Sequence, residues 1–294
     1  MSFWKRLRVL TTNSCNYHCP FCHNEGQKKE SGQLPVFLHY EDFRVIIDSL
    51  HESGLMEVQF SGGEPFLNPA TIDMIRYVDD TTEYDIGCAT NLSLVDRSMI
   101  ESLSSTRVKL NIQFPTVDAV EFRNITQTGD FYRVRSKLDM CKDNGLPFGL
   151  NHVIAENNIR KLLEVVRWAI EYEAPLKILL DVYGNNHMSL VQLVHECLDS
   201  LSVSKSDLKN GSIKWKVQTA SHSLVTITLV DAPCFTRDKA SCINYGEIRL
   251  HPNLKLQTCI QDTEYHEFGF SVQPEMSSNI LSKLQDLWIS FTRD

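Results

Sequence analysis

Six short β-branched runs, each followed by a stretch with apolar residues at helical spacing, fill the first two thirds of this 294-residue chain. The runs are "LRVLTT" (7–12), "MEVQFSG" (56–62), "YDIGCAT" (84–90), "RVKLNIQ" (107–113), "LPFGLNHV" (146–153) and "LKILLDV" (176–182). Between them, sets such as Phe43, Ile46, Ile47 and Leu50, or Leu162, Val165, Val166 and Ala169, recur at the helical interval. Gly54, Gly145 and Pro175 stand where a helix should stop and the next strand begin. Six β-then-α units in series confine the chain to a parallel sheet with right-handed crossovers. They fall short of a closed eight-stranded barrel. The expected fold class is therefore α/β, an open partial (β/α)6 TIM-like barrel.

The pattern changes near residue 200. "IKWKVQTASHSLVTITLV" (213–230) alternates around a polar turn and reads as a β-hairpin. "GEIRLHPNLKLQTC" (246–259) reads as a second, turning at His251–Asn253, and an amphipathic helix is expected over 277–291. These divide the chain into a barrel over 1–200 and a small, mostly antiparallel C-terminal domain over 201–294. A formal charge of −8 argues against a surface that tracks nucleic-acid phosphates. No apolar stretch approaches the roughly 20 residues that span a bilayer. The opening "MSFWKRLRVL" is too short in apolar residues for a signal peptide. The expected location is the cytoplasm, with neither membrane nor nucleic acid as partner.

In that compartment the nine cysteines do not read as a disulfide framework. Six lie in two groups, at 15–22 and 234–259, while Cys88, Cys141 and Cys197 sit inside apolar patterns and read as packing residues. Cys15, Cys19 and Cys22 follow the first strand, at the end of the sheet where parallel α/β folds place their chemistry. Three thiolates on one loop can hold an iron–sulfur cubane and leave one iron open. Zinc, with His18 or His23 as fourth ligand, is the alternative, and the spacing favours iron–sulfur. A thioredoxin-like reading of Cys19 and Cys22 leaves Cys15 unexplained. The second strand ends in "SGGEP" (61–65), whose adjacent glycines permit close approach to the backbone and whose Glu64 can accept from an ammonium group.

C-x3-C-x2-C ending a first strand, then Gly-Gly-Glu-Pro ending the second, resembles the radical S-adenosylmethionine (radical SAM) enzymes. The resemblance implies a [4Fe–4S] cluster on Cys15, Cys19 and Cys22, with S-adenosylmethionine on its open iron. One-electron cleavage of the cosubstrate would then yield a radical that takes a hydrogen atom from substrate. It further implies that Gly62, Gly63 and Glu64 hold the methionyl amine, and that Asn91 and Gln113, ending the third and fourth strands, face the adenosyl moiety. "LRVLTTNSCNYHCPFCHNEG", "SGGEPFLNP", "ITQTGDFYRVRSKLDMCKDNGLPFGLNHVIAENN" and "GEIRLHPNLKLQTC" are similar in order and spacing to the molybdenum-cofactor GTP 3′,8-cyclases. That family carries a second cluster on C-x2-C-x13-C. Cys242 and Cys259 match its ends, but Tyr245 takes the middle place. Cys234 is the natural substitute, which implies an auxiliary iron–sulfur cluster, expected to be [4Fe–4S], on Cys234, Cys242 and Cys259.

The departures bear on substrate. Arg8 and Arg249 match two of the cyclases' phosphate-binding arginines. Glu247, Glu57, Gln59 and Gly149, however, occupy places where the family has basic residues. A charge-assisted hydrogen bond is worth roughly 1.5–3 kcal/mol, and the want of several counts against GTP. The expected activity is radical SAM chemistry on a small molecule, in bond formation, rearrangement or oxidation within a biosynthetic pathway. A flavodoxin or ferredoxin is the expected reductant. A peptide-modifying enzyme, a true GTP cyclase and a non-enzymatic zinc module are the alternatives. The small molecule is preferred over a peptide because the chain begins about six residues before its first strand, leaving no N-terminal recognition domain.

Overall fold

In the computed structural model, residues 4–22, 34–155, 158–182, 184–207, 212–230, 243, 246–260 and 264–293 are described. Six parallel strands run in chain order across the middle of one sheet: β1 (Arg6–Leu10), β2 (Glu57–Ser61), β3 (Asp85–Thr90), β4 (Lys109–Gln113), β5 (Phe148–Ile154) and β6 (Leu176–Leu180). Helices α1 (Tyr40–Asp48), α2 (Thr71–Thr81), α3 (Arg97–Ser104), α4 (Ala119–Thr126), α5 (Phe131–Asp143) and α6 (Ile159–Glu171) make the crossovers. α7 (His187–Asp199) follows β6. The β4–β5 crossover holds two helices rather than one. Asp118 and Asp130 cap them by accepting from the backbone N–H groups of Glu121 and Arg133, and Gln127, at φ 65°, turns the chain between them.

The strands after residue 200 form two groups, each antiparallel within itself, as the two hairpins lead one to expect, but the groups sit at opposite ends of the same sheet. β7 (Ser204–Asp207), β8 (Ser212–Gln218) and β9 (Leu224–Val230) join through β9, which pairs parallel with β6. β10 (Glu247–Leu250) pairs parallel with β1 and antiparallel with β11 (Leu256–Gln257). The full order is β11-β10-β1-β2-β3-β4-β5-β6-β9-β8-β7, so the sheet stays open. A last helix, α8 (Ser277–Arg293), packs against α1.

Alternation along each strand separates two environments. Leu7, Val9, Val58, Phe60, Leu110, Ile112, Leu150 and Ile178 are fully buried under the helices. Arg6, Arg8, Glu57, Gln59, Lys109, Asn111, Gln113, Asn151 and Lys177 occupy the other face. Lys177 on β6 senses the charges of Arg8 and Arg6 on β1. Those strands are five places apart in the sheet, so the arc of six strands curls until β1 and β6 face each other across a lumen. A closed (β/α)8 barrel fills that space with branched apolar side chains. Here it is lined with charges and amides, which makes it a site rather than a core. No helix among the described residues is long and apolar enough to cross a membrane.

Candidate active site at the mouth of the barrel

The cysteine loop leaves β1 at the C-terminal end of the sheet and is bound tightly to the turn after β2. Thr12 and Ser14 offer their carbonyl oxygens to the N–H groups of Gly63 and Glu64, at 2.9 and 2.8 Å. The two glycines are what permits this approach. Gly62 has φ +121°, and a Cβ there would lie 2.5 Å from the Thr12 carbonyl oxygen; at Gly63 it would lie 1.8 Å from that of Ser14. The backbone that comes close is therefore the chain's own, the segment that carries Cys15.

Cys19 is buried, and Cys15 and Cys22 are partly so. Burial, with the neighbouring Cys15 and Cys22, pushes the Cys19 thiol up to about 12. The Cys15 sulfur accepts the Tyr17 N–H at 3.3 Å and the Asn91 Nδ2 at 3.8 Å. Asn91 also donates to Asn16 Oδ1 at 2.8 Å, and its Oδ1 accepts from the N–H and hydroxyl of Ser93. The Ser93 hydroxyl in turn accepts from Asn16 Nδ2 at 2.8 Å, closing a ring that ties the loop to the end of β3. Tyr17 stands edge-on to Phe122, and the His18 N–H donates to Thr126, so α4 braces the other side.

Glu64 is 1% exposed. Its carboxylate accepts from the Thr90 hydroxyl and the Asn91 N–H at 2.7 Å each, and from the Phe66 N–H at 3.3 Å. Burial nonetheless raises its pKa to about 7, because those donors only partly replace lost water. Three donors leave part of the carboxylate's roughly four-site acceptor capacity open.

Gln113, the last residue of β4, faces Asn151 in the middle of β5. Gln113 Nε2 and Asn151 Oδ1 are buried without a hydrogen-bond partner among the described residues, an orphan donor beside an orphan acceptor. Deeper in the lumen, Arg6 pairs with Glu57, which also accepts from Gln59. Arg8 grips Glu247 through two bonds of 2.9 Å, and Arg249 meets the same carboxylate at 3.1 Å. Burial would raise Glu247, but the guanidiniums of Arg8 and Arg249 outweigh it and hold the carboxyl below its ordinary value.

Arg8→Met leaves Glu247 with Arg249 alone and is expected to lower unfolding free energy by about 2–3 kcal/mol near pH 7. Because the folded-state pKa of Glu247 is depressed, this contribution is present above the ordinary glutamate value of 4.5 and is lost as pH falls below it. Urea titrations of both proteins at pH 7 and pH 4 should show the gap narrowing. An equal gap at both values would mean that Glu247 is not the group involved.

The residues that the sequence singles out thus fall into two sets. Cys15, Cys19, Cys22, Gly62, Gly63, Glu64 and Asn91 form one bonded unit at the mouth, with Gln113 across from it on β4. Arg8 and Arg249 lie together but are engaged by Glu247. His23, Cys234, Cys242 and Tyr245 lie outside the described residues, and Cys259, partly buried, follows β11. Among the described residues no three His, Cys, Asp or Glu side chains form a single-ion site; His18 is exposed. A cubane spreads its thiolates over separate corners, and the donor set of three cysteines fits it. A cavity of about 260 Å³ between Asn16, Ser93, Asp130 and Arg133 lies behind the loop and touches none of the three thiols.

Glu57 and Gln59, at places where the resembling family has basic residues, also line the lumen, as do Lys109, Asn111, Asn151 and Lys177, which motif spacing does not mark. Strand alternation does: "RVKLNIQ" places Lys109, Asn111 and Gln113 at every second position of a strand that should be buried on both faces.

The family model described as the Radical SAM superfamily matches residues 9–169. A probable GTP 3′,8-cyclase of Methanococcus maripaludis is 26% identical over 176 residues, which are 60% of this chain and 58% of that protein. The match thus spans little more than half of that relative's length. A GTP 3′,8-cyclase of Clostridium perfringens is 20% identical over 284 residues, covering 93% of this chain and 84% of that one. Among solved structures, SuiB of Streptococcus suis bound to its precursor peptide SuiA superposes with TM-score 0.72 at 14% identity. The superposition covers 95% of this chain and 65% of SuiB. At that identity the likeness is one of fold.

Proposed function

The chain belongs to the radical SAM superfamily and is an enzyme that uses S-adenosylmethionine, and on that premise we propose that its substrate is a small molecule bound in the polar lumen beneath the cysteine loop. The observation that carries the reading is the lumen itself, charged and amide-lined, opening directly below the three thiols. Cys15, Cys19 and Cys22 would hold a [4Fe–4S] cluster, with one iron left for the cosubstrate to bind. Cluster and cosubstrate together supply one-electron cleavage of the sulfonium and hydrogen-atom abstraction from substrate. The peptide groups of Gly62 and Gly63, with the open acceptor capacity of Glu64, would hold the methionyl amine. The orphan donor of Gln113, beside the orphan acceptor of Asn151, suits the adenosyl group. Asn91 has its amide committed to Asn16 and Cys15, so its part is to fix the ligand loop and donate to the Cys15 sulfur. An auxiliary iron–sulfur cluster on Cys234, Cys242 and Cys259 belongs to the same proposal, as does a flavodoxin- or ferredoxin-type reductant.

A second reading, GTP 3′,8-cyclisation, is favoured by a relative of that name aligned over 93% of the chain. Against it, Glu247 engages Arg8 and Arg249, the guanidiniums at the cyclases' phosphate-binding places. Anaerobically reconstituted protein, reduced with dithionite, is expected to convert S-adenosylmethionine to 5′-deoxyadenosine. GTP consumed in step with that product would make the chain a cyclase. Cleavage with GTP untouched supports another small molecule, and no cleavage at all defeats the reading.

A further inference from the structure

The turn that ends β3 carries connections to the site in four consecutive residues. Thr90 donates its hydroxyl to one oxygen of Glu64, and Asn91 donates its N–H to the other. The Asn91 side chain reaches the Cys15 sulfur. Leu92 stands at φ 63°, a left-handed conformation uncommon for a bulky residue, and its N–H donates to Thr90 Oγ1 at 2.9 Å. Ser93 donates to Asn91 Oδ1 through both its N–H and its hydroxyl. Both oxygens of Glu64 and the donor to Cys15 thus depend on the shape of this one turn. A strained turn keeps its shape only where its surroundings over-determine it.

The N–H groups of Asn91, Leu92 and Ser93 are spent within this network, so the carbonyl oxygens of Leu92 and Ser93 need donors from elsewhere. Leu92 accepts from the Val95 N–H at 3.3 Å. The remaining donor is a side chain of α5. The buried stripe of that helix reads Phe131, Val134, Lys137, Leu138 and Cys141, so a lysine stands where helical spacing calls for an apolar residue. Lys137 is only 9% exposed, and its ammonium donates to the Ser93 carbonyl and, at 3.3 Å, to that of Leu92. Burial, then the nearby Arg133, draws its pKa down, a cost that an apolar side chain would not incur.

We infer that Lys137 is a positioning residue for the cosubstrate: it anchors the turn at 91–93 from the helix layer, and the turn in its place holds Glu64 and the Cys15 sulfur in line. The inference rests on the reading that Glu64 receives the methionyl amine. Lys137 itself touches neither cluster nor cosubstrate. Its removal therefore loosens the grip on S-adenosylmethionine while leaving the three thiols able to load iron.

The test compares wild type with Lys137→Met, which keeps an unbranched side chain and removes the donors, in the full, anaerobically reconstituted chain. Hydrogen exchange of a peptide spanning residues 91–93, followed by mass spectrometry, needs no cosubstrate and should quicken about tenfold in the variant. Affinity for S-adenosylmethionine is read from the change it makes in the electron paramagnetic resonance spectrum of the reduced protein. It should weaken at least about tenfold, the scale of one charge-assisted hydrogen bond, with iron per chain unchanged. Lys137→Gln, which keeps an N–H donor, should fall between, and it decides the matter if circular dichroism shows Lys137→Met unfolded. Cys141→Ala, one turn further along the same buried stripe, should lower the denaturant midpoint yet leave exchange at 91–93 and affinity at wild-type values. Wild-type affinity in the Lys137 variants, or an equal loss in Cys141→Ala, overturns the inference. A wild type that carries its iron but binds no S-adenosylmethionine overturns instead the reading on which it rests, and the exchange rates then report whether Lys137 anchors the turn at all.

Discussion

Replacing Cys15, Cys19 and Cys22 together by alanine is expected to abolish S-adenosylmethionine cleavage and to remove about four irons per chain. The grounds are donor chemistry and position. These three thiols share one loop, close enough for Cys15 and Cys22 to raise the pKa of the buried Cys19. Cys88, Cys141 and Cys197 are buried elsewhere in the core, and burial keeps each a neutral thiol, with Cys141 at about 12 and Cys197 at about 11. They are packing residues, so Cys88→Ala serves as the control and should keep its iron. The iron count also decides the second group. A fall from about eight irons to about four supports a separate cluster on Cys234, Cys242 and Cys259. A fall from about four to none would show that those cysteines hold no cluster. Iron unchanged in the triple variant would refute the assignment of the first site.

Gly63→Ala should be nearly as damaging, for a mechanical reason. The added methyl would sit 1.8 Å from the Ser14 carbonyl oxygen, 2.2 Å from its carbonyl carbon and 2.8 Å from the Cys15 nitrogen. All three are backbone atoms, so no side chain can swing aside. Either the turn after β2 or the cysteine loop must move, which breaks the bonds from Gly63 and Glu64 to Thr12 and Ser14. Overpacking of this severity is expected to cost at least about 3 kcal/mol. Because the displaced segment carries Cys15, iron loading should fall with stability. Denaturant midpoints and iron per chain, compared with wild type, read both effects. A Gly63→Ala protein with unchanged midpoint and full iron would show that the two segments need not touch.

The six central strands are legible in the sequence because each carries its own evidence, as Leu7 and Val9, or Leu110 and Ile112, recur on one face. The two hairpins are legible for the same reason, through alternation either side of a polar turn. Where they dock is not. Nothing local in "LVTITLV" says that β9 lies beside β6, or in "EIRL" that β10 lies beside β1; those pairings are decided by which sheet edge is vacant. The motif residues at the mouth are recognisable from spacing, but their partners are not. Glu64 meets Thr90 some 26 residues on, and Asn91 meets Asn16 from 75 residues away. Adjacent glycines suggest room for a ligand, whereas here they make room for the chain itself. The paired helices between β4 and β5 are marked locally by Gly129 and the capping Asp130 in "EFRNITQTGDFYRV", but a count of β-then-α units passes over them.

The placement of β9 and β10 has a consequence for how this protein is made. Both outer flanks of the six-stranded sheet are covered by segments translated after all six of its strands, beyond residue 200. Until they emerge from the ribosome, a nascent chain that has already formed its six β-then-α units presents two unpaired strand borders at once, on β1 and on β6. Such borders recruit strands from other molecules. The final third thus shields the growing polypeptide from its neighbours, and a product of interrupted translation near residue 200 would be sticky on both sides.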